Sequence, residues 1–83
     1  MKITVRYFAS LREALGGSEV VEVAAGSTLG ALRDALLARG GRHAEVLARG
    51  KAVRCALAQV MSDESALLVE GAEVAFFPPV TGG

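Results

Sequence analysis

Few residues in this sequence have chemistry to offer. The stretch FFPPVTGG, Phe76 to Gly83, ends on Gly82 and the terminal carboxylate of Gly83; elsewhere stand one thiol, Cys55, and one imidazole, His43. A carboxylate is a poor electrophile until ATP makes it an acyl adenylate, after which a sulfur or nitrogen nucleophile can take the acyl group. Glycines suit such a terminus: without a Cβ, a narrow channel can close around their backbone, and their φ values stay free to match it. Pro78 and Pro79 lack the N–H that a strand ladder needs, so the sheet must end at Phe77. From there the six residues Pro78 to Gly83, at roughly 3.1 Å each when extended, give an arm of about 20 Å. That is enough to enter a neighbour's active site.

Two other readings compete. Cys55 as nucleophile with His43 as its base would make the chain an enzyme. Cys55, however, lies in an apolar stretch where free thiols are inert packing residues, His43 sits in a basic loop, and no acidic partner or phosphate-cradling glycine motif accompanies them. A passive interaction module would use a sheet face alone, and for it loss of the tail is harmless. Gly-rich chain ends also occur without any function.

An arm needs a body to carry it. The 83 residues make one domain, residues 1–77, with 78–83 as its tail. With 52% apolar and 22% charged residues the chain can bury a core. Nine basic and nine acidic side chains cancel, which speaks against nucleic acid as a partner. No apolar run approaches the roughly 20 residues that cross a bilayer. A lone cysteine and the lack of a leader before Ile3 lead us to expect a soluble chain in the reducing cytoplasm. Charge is spread unevenly: after Arg54 come Asp63, Glu64, Glu70 and Glu73 with no base among them. Such an acidic region beside the tail would steer it toward a basic pocket, or its carboxylates merely solvate edges and turns.

The elements follow from periodicity. Lys2 to Phe8 alternate as a half-buried strand, with Ile3, Val5 and Tyr7 inward. Ser10 and Glu13 have capping-box spacing for a helix of little more than one turn, stopped at Gly16 and Gly17. Glu19 to Val23 reads as the second strand. Ser27 or Thr28 caps the main helix, whose buried stripe is Leu29, Leu32, Ala35 and Leu36, with Gly30 a local cost and Gly40 its end. Arg42 to Arg49 reads as a short irregular helix, Ala52 to Met61 as the third strand, Ala66 to Val69 as the fourth and Glu73 to Phe77 as the last. The layout is α+β: a mixed sheet of about five strands with one main helix packed across one face. A single helix covers a single face. The other face is left for Phe8, which falls on the polar parity of its strand, and for Met61 and Phe77, an apolar patch that suits a partner unless each simply completes the core.

Three stretches, RYFASLREALGG, TLGALRDALLARG and EVAFFPPVTGG, together resemble the small, sulfur-carrying subunits of molybdopterin synthase, members of the ubiquitin-like β-grasp family. The resemblance covers essentially the whole chain, and FFPPVTGG is its most specific part. It implies that an E1-like enzyme adenylates Gly83 with ATP and that a sulfur donor protein converts it to a thiocarboxylate. The tail then enters the large synthase subunit and delivers sulfur to precursor Z, cyclic pyranopterin monophosphate, within a heterotetramer. By this resemblance the chain binds no cofactor and does not catalyse alone, while Phe8, Met61, Phe77, Pro78, Pro79, Val80, Thr81 and Gly82 meet the partners. Related carriers that serve thiamin or tRNA thiolation, or that modify proteins, share the Gly-Gly end. The chain departs from its relatives at Ala58, where they often carry Asn, and in a turn after Met61 that is one residue longer.

Overall fold

Alternation along Lys2–Tyr7 does make a strand, β1, in the computed structural model, which describes residues 1–79. Helix α1 (Ala9–Leu15) follows, then β2 (Ser18–Glu22), α2 (Leu29–Leu37), α3 (Gly41–Val46), β3 (Arg54–Leu57), β4 (Val60–Met61) and β5 (Glu73–Phe77). One mixed sheet results, in the order β2-β1-β5-β3-β4. The first and last strands run parallel at its centre, with Val5 beside Val74 and Tyr7 beside Phe76; every other pairing is antiparallel.

The inward residues of β1 and β5 meet the stripe of α2. Ile3, Val5, Tyr7, Leu29, Leu32, Leu36, Leu47, Val74 and Phe76 are fully buried in one cluster, which Leu11 of α1 joins. Apolar area of this kind contributes roughly 25 cal/mol per Å² removed from water, so these nine side chains are the main source of stability. Thr28 caps α2 by accepting from the Ala31 N–H at 3.1 Å, while the Ser27 hydroxyl turns back to the Ala24 carbonyl.

Four local expectations give way. Ser10 lies inside α1, which starts after Phe8 with no side-chain cap and runs seven residues, so the capping box does not form. Ala35 is exposed and Arg33 takes its place in the buried stripe, because position 33 lies one turn after Leu29. The long third strand breaks into the hairpin β3–β4, turned by Ala58 and Gln59 at φ 50 and 67. That left-handed pair matches the right-handed twist of the flanking strands, which is why two-residue hairpins use it. Finally, Ala66–Val69 makes only an isolated bridge, Thr28 to Leu67, so the fifth place in the sheet belongs to β4.

Gly30 has a use that its helix cost concealed. Its N–H donates to the Glu64 carbonyl at 2.9 Å, and a Cβ there would meet Glu64 atoms at 3.1–3.2 Å. The absent side chain lets the segment after β4 lie directly on α2.

Candidate functional site: the uncovered sheet face and the tail exit

All three helices are on one side of the sheet, where Leu11, Leu32 and Leu47 enter the core. Directly paired residues share a face, so the register lays out the other side row by row. Arg6, Ala75, Ala56 and Met61 form one row; Phe77 and Arg54 stand opposite each other in the next, toward the end of β5. The Phe8 N–H donates to the Phe76 carbonyl at 3.1 Å, which extends the β1–β5 ladder by one step and brings Phe8 alongside Phe77. Parity thus places Phe8, Met61 and Phe77 on one uncovered face. Phe8 is 37% and Met61 54% exposed, and Phe77 is half-buried. Val20 of β2 is exposed on the same side, opposite Thr4. The chain leaves the sheet at Phe77, beside this patch, and Pro78 and Pro79 follow, both half-buried. The remaining predicted tail residues, Val80, Thr81, Gly82 and Gly83, lie outside the described residues.

The prolines also close a shallow cavity of about 200 Å³ whose lining includes Leu11, Val46, Val53 and Lys51. The root of the tail is therefore flanked by two apolar surfaces, the sheet face and this cleft. Sequence reasoning missed the cleft because it joins residues from α1, α3 and the β3 approach. It also missed two cations on the open face: Arg54 beside Phe77, and Arg6, whose guanidinium lies 5.3 Å from the centre of the Phe8 ring. The parity that selected Phe8 carries Arg6 with it.

Beneath the open face, two polar clusters fix the helices. Tyr7, fully buried, donates its hydroxyl to Glu19 at 2.7 Å, and His43 and Arg39 meet the same carboxylate. Burial alone would raise Glu19, but hydrogen bonds from Arg39, His43 and Tyr7 hold it down to about 2. Burial and the neighbouring carboxylate push Tyr7 far above the usual phenol range, so it stays a neutral donor. Arg33 is only 4% exposed, yet its guanidinium donates to the Leu47 and Ala48 carbonyls and to Glu64, each at 2.8 Å. It ties α2 to the loop that enters β3.

These contacts bear on two earlier questions. Glu64 serves Arg33 and Arg49, Glu73 approaches Arg6 at 3.7 Å, Glu70 accepts from the Lys2 N–H and Asp63 from Ser65. The acidic residues after Arg54 are thus engaged on their own chain, and Glu73 opens β5 at the end remote from Pro78. Nor is there a nucleophile–base pair: Cys55 is 6% exposed, its thiol faces the Ser62 carbonyl, and burial raises it away from the thiolate form. His43 is committed to Glu19. Among the described residues no group of His, Cys, Asp or Glu could hold a metal ion, and no helix is long and apolar enough to cross a membrane.

With that geometry in view, the chain was compared with known proteins. It is 45% identical over 82 residues to the molybdopterin synthase sulfur carrier subunit of Escherichia coli K12, covering 98% of this chain and 99% of that one. Among solved structures, SAMP1 of Haloferax volcanii matches the whole of both chains at 25% identity and TM-score 0.81. A complex of subunits 1 and 2 of the molybdopterin-converting factor from Helicobacter pylori contains a chain matched over the full length of both, at 25% identity and TM-score 0.71. The strand order and helix placement are those of the ubiquitin-like β-grasp. Because the ThiS family model also matches continuously from Val5 to Gly83, body and tail alike, the chain belongs to the ThiS family.

Proposed function

We propose that this chain is the sulfur carrier subunit of a molybdopterin synthase. The full-length likeness to the E. coli carrier subunit carries this reading. The fold supports it, because the uncovered apolar face and the exit of the tail lie side by side, so one partner can hold the body and receive the tail.

In this reading the Gly83 carboxylate attacks the α-phosphate of ATP on an E1-like enzyme, releasing pyrophosphate. Hydrosulfide released by a donor protein then attacks the acyl carbon and displaces AMP, leaving a thiocarboxylate. The charged tail enters the large subunit, gives its sulfur to precursor Z and returns as a carboxylate for another round. This chain's own part is to dock and to present: Phe8, Met61 and Phe77 hold the partner, while Pro78 and Pro79 forbid further strand and set the direction of departure. It acts in the cytoplasm, holds no cofactor and does not catalyse by itself; ATP enters on the activating enzyme.

The test is to incubate the chain with an adenylating enzyme, ATP and a sulfur donor, and to weigh it. A gain equal to the difference between sulfur and oxygen, absent when Gly83 is deleted, is the expected result. A chain without Gly83 that still supports molybdopterin formation at the normal rate overturns the reading. The likeness to SAMP1, a small archaeal modifier protein, favours a second outcome, an amide between Gly83 and a lysine amine. The same incubation detects it as a conjugate of higher mass.

A further inference from the structure

The uncovered face carries charge as well as apolar surface, and one cation stands where the tail leaves. Across the end of the sheet the register sets Phe8, Phe77 and Arg54 in sequence. Arg54 is exposed, and among the described residues it makes no ion pair and no side-chain hydrogen bond. The other arginines between α2 and β3 differ: Arg33, Arg39 and Arg49 are all held by carboxylates of this chain. Arg42, on α3, lies on the helical side. Arg6 is the second cation of the face, stacked against Phe8 and only loosely drawn to Glu73 at 3.7 Å. The face thus presents an apolar centre with a guanidinium on either flank; Asp63, opposite Arg54 across the β3–β4 hairpin, shares a shallow cavity with it but forms no ion pair with it, and Glu73 lies at the far end of β5.

Three kinds of occupant are conceivable, and charge separates them. A nucleic acid needs many phosphate contacts, which a chain of zero net charge with two arginines here does not provide. A second copy docking by this face about a twofold axis would bring a second Arg6 and a second Arg54 into the same interface, and like charges across an interface oppose it. A protein surface with an apolar centre and a carboxylate at its edge complements what is present. Arginine is the cation suited to that place, because it packs on aromatic rings and can grip a carboxylate with two parallel hydrogen bonds.

We infer that the protein receiving the tail presents an Asp or Glu carboxylate to Arg54, at the margin of the apolar contact made by Phe77. This rests on the carrier reading and adds to it a specificity-determining residue. The ion pair orients the body of the carrier while the tail is still outside the channel, since charges at an interface margin act on encounter more than on dissociation.

Binding kinetics to the large synthase subunit of the same cell test this, with the full-length chain at several salt concentrations. Arg54→Glu should lower the association rate about tenfold and raise the dissociation rate less than about threefold, with the melting temperature unchanged; Arg54→Gln should fall between. Affinity of the parent chain should decline with salt, and Arg54→Glu should flatten that dependence. Phe77→Ser should act mainly on dissociation. If Phe77→Ser and loss of Gly83 both weaken binding while Arg54→Glu binds like the parent at every salt concentration, the inference alone fails. If none of the three changes binding, the carrier reading falls and takes the inference with it. A dimer of this chain in sedimentation that Arg54→Glu dissociates would show the face occupied by a second copy, and also overturns the proposal.

Discussion

Phe76 and Phe77 are neighbours in sequence and in every bulk property, yet one is fully buried under three helices and the other lies on the uncovered face beside Arg54. The same division runs down β1, where Ile3, Val5 and Tyr7 point into the core and Thr4, Arg6 and Phe8 away from it. A single strand therefore contributes to stability through one set of alternate residues and, in the proposed function, to partner contact through the other. The consequence is that the two properties should separate cleanly under mutation, which a binding site built into a core cleft would not allow.

The largest expected effect sets the two phenylalanines against each other. Phe76→Ala should destabilise the chain by about 4 kcal/mol, the usual cost of emptying a large core position, whereas Phe77→Ala should cost under about 1 kcal/mol and be felt in partner affinity. Chemical denaturation of the two variants checks this, and equal losses would erase the distinction. Arg33→Met comes next, at about 3 kcal/mol, because Glu64 and two loop carbonyls lose their buried donor. Its loss should loosen the residue 47–51 loop, read by amide exchange, before it disturbs β1 and β2.

Acid should act mainly through the covered side. Glu19 is held near 2, against an ordinary 4.5, so the fold favours its ionised form. That contribution is complete above about pH 4.5 and is lost as pH falls toward 2; solvent screening keeps it to about 1 kcal/mol. A urea titration at pH 7 and pH 3 should show the loss, and Glu19→Gln should remove most of the difference. Smallest is a gain: Ala58→Asn with Gln59→Gly should stabilise by about 1 kcal/mol, because both native residues sit at positive φ, where an L side chain is strained. Docking by Met61, one residue beyond this turn, should be unchanged or slightly tighter.

What the sequence disclosed follows the same division. Parity alone found the outward position of Phe8, and two prolines fixed the end of β5 at Phe77, because both rules are local and steric. The hairpin at Ala58 and Gln59 escaped notice since neither residue is the Gly or Asn that announces a left-handed turn. Arg33 was left out of the buried stripe, although its place one turn after Leu29 lay in it. Ala66–Val69 reads as a strand by composition, but only a bridge to Thr28 is within its reach. The cleft at the prolines and the place of Arg54 beside Phe77 could not be read from sequence, because each depends on which distant segments the sheet order brings together.

The place of β5 between β1 and β3 bears on how this protein is made. Until that strand is available, no strand pairing joins the β1–β2 pair to the β3–β4 hairpin, and long-range parallel pairing is the slow part of assembling such a sheet. A nascent chain still held by the ribosome short of Phe77 therefore has neither a closed core nor a docking face. If the face docks a partner as proposed, unfinished translation products should compete poorly with the finished chain for it.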